Sequence, residues 1–168
     1  MCKDHTGLLR LFHYPRDDKQ DPNIWSVGEH TDSGFLTILM ASEKGLQVRY
    51  RRTDEWISVD PMPDTFVVNI GDILERMTNG LYQSTPHRVR NTQGRSRYSV
   101  PYFYDPDWDA PILELDLKVS EDERLMQNRT HNVERWDKAN LKNISGKYGE
   151  YLIGKISKVF PDLAKEYL

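Results

Sequence analysis

Short runs of apolar residues, separated by polar segments that contain proline, glycine, asparagine or aspartate, recur along the chain as far as Pro111. Runs of this length that are rich in Leu, Ile, Val, Phe and Tyr are typical of β-strands. The pattern predicts seven strands, at residues 8–14, 34–40, 46–52, 56–59, 65–70, 87–89 and 97–104. Asn91–Gly94 predicts a turn between the last two strands, and Asp72 is expected to cap a short helix that ends before Gly80. Many short strands separated by turns favour an all-β sandwich or barrel.

The pattern changes after Pro111. Ser120 begins a Ser-Glu-Asp-Glu segment, which is typical of a helix start with acidic residues in the first turn. Apolar residues then recur at helical spacing between Tyr148 and Phe160. We therefore predict a helical extension over residues 120–168 that packs on the outside of a β core at residues 8–115, all within a single domain, 1–168.

Composition narrows the classes of function. The net charge of -3 over 168 residues gives no electrostatic reason to expect nucleic-acid binding. The single cysteine, Cys2, excludes an internal disulfide framework and a cysteine-based zinc site. No apolar run approaches the roughly 18 residues that a membrane span needs. The first residues lack the apolar core of a signal peptide, so we expect a cytoplasmic protein without membrane contacts.

Three residues could together hold a metal ion. His30 and Asp32 are two residues apart, so both side chains face the same way if this segment is extended. His87 would come from a distant strand on the opposite side of the barrel mouth. Two histidines and one carboxylate that leave other positions open are typical of a non-haem Fe(II) site. Taken alone, the His-x-Asp pair is weak evidence, and a hydrogen-bonded pair in a loop is the simpler alternative.

A second group of residues suits a carboxylate ligand. Arg97 and Ser99 alternate along a predicted strand, so they share a face. A guanidinium binds a carboxylate through two parallel hydrogen bonds, and a nearby hydroxyl can add another. Phe103 lies further along the same face and could form the wall of a substrate pocket. The alternatives are an exposed arginine at the start of a strand and an aromatic residue that only packs.

The residues between Leu9 and Pro106 resemble the 2-oxoglutarate- and Fe(II)-dependent dioxygenases of the isopenicillin N synthase-like class. The resemblance rests on many short motifs in the same order. They are Phe12–Pro15, Glu29–Asp32, Leu36–Leu39, Gly45–Val48, Trp56-Ile57, Asn69–Asp72, Thr78–Gly80, Ser84–Val89 and Arg97–Ser99. The resemblance implies a mainly β fold, the double-stranded β-helix or jelly roll, over residues 8–115.

The resemblance also implies roles for individual residues. His30, Asp32 and His87 would hold Fe(II), and Arg97 and Ser99 would bind the distal carboxylate of 2-oxoglutarate. The Tyr14 hydroxyl would make a third contact with that carboxylate. The implied reaction is hydroxylation or desaturation of a small organic substrate with O₂, which releases CO₂ and succinate, with ascorbate as a possible activator.

One feature departs from the family pattern. Members usually carry a helical N-terminal half before the strand that contains Tyr14, and here only seven residues precede Leu8. We therefore expect a fragment or a reduced member of the family, with self-association through the surface that this half would cover. The alternative function is an inactive jelly-roll module that serves binding or assembly.

Overall fold

The computed structural model describes residues 3–16, 24–91, 94–120, 135, 137–159, 161–162 and 165. Its strands are β1 (Thr6–Leu9), β2 (Phe12–Tyr14), β3 (Val27–His30), β4 (Leu36–Ala41), β5 (Leu46–Tyr50), β6 (Glu55–Val59), β7 (Val67–Ile70), β8 (His87–Val89) and β9 (Arg97–Asp105). Its helices are α1 (Asp72–Met77), a 3₁₀ turn (Leu141–Asn143) and α2 (Tyr148–Val159).

The strands form two antiparallel sheets. The five-stranded sheet has the order β1-β9-β4-β7, with β2 also paired to β9, and the four-stranded sheet has the order β3-β8-β5-β6. Strands that are neighbours in sequence mostly alternate between the sheets, which is the arrangement of a jelly roll. The prediction of a mainly β jelly-roll fold is confirmed. The division into residues 8–115 and 120–168 stays a prediction, because residues 121–134 lie outside those described.

The predicted strand at residues 8–14 is wrong as a single element. Strands β1 and β2 replace it, and both pair with β9 in one register. The interruption falls opposite Pro101, which has no N–H to donate to the ladder. Arg10 N–H still donates to the Pro101 carbonyl at 3.0 Å, but no bond can return.

The predicted hairpin of residues 87–89 and 97–104 is also wrong. Strand β8 lies between β3 and β5 in the smaller sheet, whereas β9 is central to the larger one. The chain therefore crosses between sheets after Arg90 instead of turning back on itself. Strand β3 was not among the seven predicted strands, because Val27–His30 contains glycine, glutamate and histidine and lacks an apolar run. An extended segment at His30 was only a condition of the proposed metal site.

Helices α1 and α2 share one apolar cluster. Ile73 and Met77 of α1 form a buried apolar cluster with Ile112 and Tyr148. The prediction that Asp72 caps α1 is wrong. Gly71 takes the N-cap position, and no side chain caps the helix. The helix predicted near residues 148–160 is confirmed as α2, and the one predicted to begin at Ser120 falls mainly on residues outside those described.

Candidate metal centre

The two histidines lie side by side on paired strands. His30 ends β3 and His87 begins β8, and the two residues are direct partners in the antiparallel register. Opposed residues point to the same face of a sheet. Their ring centroids are accordingly 4.1 Å apart. The expectation that His87 comes from the opposite side of the barrel is therefore wrong, since its strand is the immediate neighbour of β3.

Asp32 follows His30 beyond the end of β3 and turns its carboxylate toward both imidazoles. Its Oδ1 lies 3.9 Å from His30 Nε2 and 3.7 Å from His87 Nε2. One ligand atom from each of the three residues lies within 4.8 Å of the others, a spacing that could hold a metal ion. The structure thus brings together the three residues that the sequence proposed as ligands.

The remaining polar atoms of the histidines are already engaged. His30 Nδ1 lies 2.9 Å from the Gly28 carbonyl, and His87 Nδ1 lies 3.1 Å from the Thr85 carbonyl. A carbonyl only accepts, so Nδ1 carries the proton on each ring and Nε2 keeps its lone pair. Such contacts fix the tautomer and the ring orientation of metal-binding histidines.

Asp32 is oriented in the same way. Its Oδ2 accepts hydrogen bonds from Thr37 Oγ1 and from Asn69 Nδ2, both at 2.7 Å. Thr37 on β4 and Asn69 on β7 are themselves cross-strand partners. Sequence reasoning singled out neither Thr37 nor Asn69 as a residue that orients a ligand. The available signal was a single polar residue inside each of two apolar strands, because such a residue needs a buried partner.

Burial also lowers the basicity of His30. The loss of hydration and the neighbouring His87 lower the pKa of His30 below its usual value. A lower pKa keeps the imidazole neutral at pH 7, which is the form that binds metals. Asp32 is only 8% exposed, so it can supply the charge of a carboxylate in a largely dry setting.

Arg97 lies inside the molecule instead of on its surface. The side chain is fully buried, and its Nε donates to the Glu43 carbonyl at 3.2 Å. Nη1 and Nη2 are buried with no hydrogen-bond partner among the residues that the structure describes. Buried guanidinium nitrogens need acceptors. Two parallel unpaired donors are the group that a carboxylate would satisfy, so the residues present fit a keto acid with a free carboxylate.

The other predicted co-substrate residues surround Arg97. Tyr14 is its direct cross-strand partner, and the guanidinium carbon lies 5.1 Å from the centroid of the tyrosine ring. Burial lowers the pKa of Arg97, while Tyr14 acts in the opposite direction. Ser99 is buried two residues further along the inner face of β9. Phe103 pairs with Thr37, and so lies on the face that carries the Asp32 contact.

Comparisons with known proteins agree with the fold. The family model for the 2OG-Fe(II) oxygenase superfamily matches residues 5–106. The chain belongs to this superfamily. Iron(II) and 2-oxoglutarate, which the sequence suggested as cofactor and co-substrate, are thereby confirmed at the level of the family.

Individual relatives support the same assignment. The chain is 43% identical to a probable iron/ascorbate oxidoreductase of Dictyostelium discoideum over 99% of its own length and 48% of the relative's. It is 41% identical to a 1-aminocyclopropane-1-carboxylate oxidase of Dictyostelium mucoroides over 87% of its length and 39% of the relative's. The chain therefore spans less than half of the curated relatives it matches.

A solved structure resembles the fold directly. The crystal structure of a full-length Neurospora crassa protein in complex with α-KG superimposes with a TM-score of 0.71 at 30% identity. The match covers 90% of this chain and 48% of that one.

Among the described residues, no helix is both long and apolar enough to cross a membrane.

Proposed function

We propose that this chain carries the metal and co-substrate sites of an oxygenase that oxidises a small organic substrate by hydroxylation or desaturation. The reaction consumes O₂ and 2-oxoglutarate and releases succinate and CO₂. One observation carries the proposal: each of the three ligand residues has its second polar atom bound by the protein. His30 Nε2, His87 Nε2 and Asp32 Oδ1 are left facing one another.

Each residue of the triad has a defined part. His30 and His87 would offer nitrogen lone pairs and Asp32 would offer one charged oxygen, a donor set that suits iron(II). When bound, iron(II) supplies the activation of O₂, which no amino-acid side chain provides. Thr37 and Asn69 donate hydrogen bonds to Asp32 Oδ2 and so fix the direction of Oδ1.

The co-substrate residues would orient the keto acid. Arg97 would receive the distal carboxylate on Nη1 and Nη2, and Ser99 and Tyr14 would add hydroxyl contacts. Because Arg97 is buried, this charge pair would form away from water, and removal of either partner would leave the other charge buried and uncompensated. Phe103 would line the substrate side of the same face, beside Thr37.

Metal binding tests the triad. Asp32→Ala removes the only anionic ligand of the set, and we expect Co(II) affinity to fall by at least about 100-fold, since even outer-shell losses can reach that size. The measurement is a titration followed by visible absorption of Co(II). Asp109→Ala is the matched control, because Asp109 is 77% exposed and pairs only with Lys147 among the described contacts. Equal affinity in Asp32→Ala and wild type would contradict the triad.

Turnover separates an enzyme from a binding module. We expect the chain with Fe(II), ascorbate and 2-oxoglutarate to form succinate slowly even without a further substrate, measured by mass spectrometry. Ascorbate is included because the Dictyostelium relative is named as an iron/ascorbate oxidoreductase. Binding of metal and 2-oxoglutarate without any succinate would favour the binding or assembly module instead.

A further inference from the structure

Next to the segment that carries His30 and Asp32, one buried carboxylate accepts hydrogen bonds from three separate parts of the chain. Asp72 is fully buried at the start of α1. Its Oδ2 accepts from Lys155 Nζ at 2.6 Å and from Tyr151 OH at 2.9 Å, both on α2. Arg135 Nη2 donates to the same oxygen at 2.8 Å, and Thr31 Oγ1 donates at 3.2 Å. These five residues are called the Asp72 cluster below.

The cluster holds the residue that lies between two ligands. Thr31 separates His30 from Asp32, and its carbonyl accepts a hydrogen bond from Lys155 Nζ at 2.8 Å. Arg135 Nη2 lies 2.8 Å from the Thr31 hydroxyl. The backbone N–H of Asp72 donates to the Asp32 carbonyl at 2.8 Å. Each of these contacts is made to Thr31 or Asp32 through an atom that is not a candidate ligand atom.

The two cations of the cluster face two carboxylates, Asp72 and Asp137. Lys155 and Arg135 face Asp72, and Arg135 also pairs with Asp137 at 3.2 Å. Burial alone would raise the pKa of Asp72, but the two cations lower it below its usual value. The carboxylate therefore stays charged, and removal of either cation would leave it partly uncompensated.

A buried lysine is a costly way to attach a helix. Apolar side chains of similar size often replace buried ion pairs without loss of stability. Tyr148 already anchors α2 in the apolar cluster with Ile73 and Met77. Beyond that anchor, Lys155 adds its ion pair with Asp72 and a directed bond to one backbone carbonyl, that of Thr31. A directed bond fixes position, which matters most where two ligands must meet one ion.

We propose that Lys155 is a positioning residue for the metal centre, through which α2 fixes Thr31 and thereby the relative placement of His30 and Asp32. This inference rests on the proposed function, because it needs the triad to bind a metal. It assigns no contact with the ion to Lys155. It makes metal affinity depend on the docking of the C-terminal helix, through the bond from Lys155 to the Thr31 carbonyl.

The test compares two lysines of the same helix. Lys155→Met keeps most of the aliphatic stem and removes the ammonium group, and Lys158→Met makes the same change at an exposed position one turn along. Both variants are titrated with Co(II) under conditions in which circular dichroism shows them folded. We expect Lys155→Met to bind Co(II) about 10- to 100-fold more weakly, with shifted visible bands, and Lys158→Met to match wild type.

A purely structural role gives a different result. It would lower the urea midpoint of the metal-free Lys155→Met chain and leave the Co(II) affinity and bands of the folded protein unchanged, which would overturn the inference. If Lys155→Met does not fold, Lys155→Arg decides. This change keeps the positive charge that faces Asp72 but replaces the ammonium group that donates to the Thr31 carbonyl with a larger, planar guanidinium. Unchanged Co(II) affinity and visible bands in Lys155→Arg would then overturn the inference.

The two proposals fail in distinguishable ways. A wild-type chain that binds no Co(II), or an Asp32→Ala variant that binds it as well as wild type, would overturn the proposed function and this inference together. Binding that depends on Asp32 but is unchanged in Lys155→Met would overturn this inference alone.

Discussion

The chemistry of the candidate site depends on which atom of each side chain is left free. Carbonyl acceptors fix the proton on Nδ1 of both histidines, and hydroxyl and amide donors occupy one oxygen of Asp32. Arg97 shows the opposite situation, since two of its nitrogens are buried without partners among the described residues. The triad is thus oriented in advance by the protein, whereas the guanidinium is left for a carboxylate to complete.

Arg97 gives the sharpest prediction at the scale of residues. Arg97→Met removes both unpaired donors, and we expect a loss of about 2–5 kcal/mol in 2-oxoglutarate binding, as for one partner of a desolvated charge pair. Arg97→Lys should recover only part, because a point charge cannot make the two-pronged contact. The measurement is anaerobic titration of the Fe(II)-loaded chain with 2-oxoglutarate. Co(II) affinity should be unchanged in both variants.

Arg95→Met is the control for this change. Arg95 lies two residues earlier and its side chain is exposed. The Arg95→Met variant should bind 2-oxoglutarate with the affinity of the wild-type chain. Equal 2-oxoglutarate affinity in Arg97→Met and wild type would mean that the buried guanidinium serves the fold and that the co-substrate assignment is wrong.

The sequence predicted which residues could bind the metal and the co-substrate, but it did not predict the contacts that hold those residues in place. His30, Asp32, His87 and Arg97 stand in motifs with visible spacing, and the structure brings the triad together as expected. The supporting contacts could not be predicted in the same way. Lys155 stands at helical spacing with the apolar residues of its helix, which predicts burial of its stem. The spacing does not predict the partner of its ammonium group, because Lys155 and Asp72 are 83 positions apart. Non-local hydrogen bonds leave no local pattern in a sequence.

At the scale of elements, apolar runs were sufficient to locate strands but not to pair them. Strands β4, β5, β6 and β7 fall where the runs predicted. The partners of β8 were misjudged, because a short connection suggested a hairpin while the actual neighbours are β3 and β5. Strand β3 has little apolar character of its own. Its place next to β8 depends on partners that are distant in sequence, and so could not be predicted from the local pattern.

The approach of α1 to the ligand segment tolerates no side chain at Gly71. A Cβ added there would meet the Gly34 carbonyl oxygen at 2.1 Å, which is backbone and cannot move aside. We expect Gly71→Ala to destabilise the fold by about 1–3 kcal/mol, as for other overpacked positions. Urea denaturation measures this change.

Gly154→Ala is the matched substitution in an open position. Gly154 lies within α2, and a Cβ there would meet nothing within 4 Å. Alanine favours a helix by up to about 1 kcal/mol over glycine, so this variant should have a higher urea midpoint than wild type. A lower urea midpoint in Gly154→Ala would contradict the open space beside Gly154. An unchanged midpoint in Gly71→Ala would contradict the close contact between Gly71 and the Gly34 carbonyl.

At the scale of the whole molecule, the two faces of the larger sheet differ. The inner face carries Thr37, Arg97 and Ser99, all buried. The outer face exposes large apolar side chains from neighbouring strands, since Ile38 pairs with Val68 and both are exposed. Met40, Phe66 and Leu9 add to this surface, which is called the outer patch below. Contiguous apolar surface of this kind drives association.

We expect the chain to self-associate through the outer patch, because association would bury its exposed apolar side chains. Ile38→Thr combined with Val68→Thr keeps β-branched residues in both strands but reduces the apolar surface, and should shift sedimentation velocity profiles toward the monomer. Added salt should not dissociate the wild-type species, because screening weakens charged contacts and not apolar ones. Leu113→Thr combined with Leu115→Thr removes exposed apolar surface outside the sheets and should leave association unchanged. A wild-type chain that stays monomeric at high concentration would show that the outer patch does not bind a second copy.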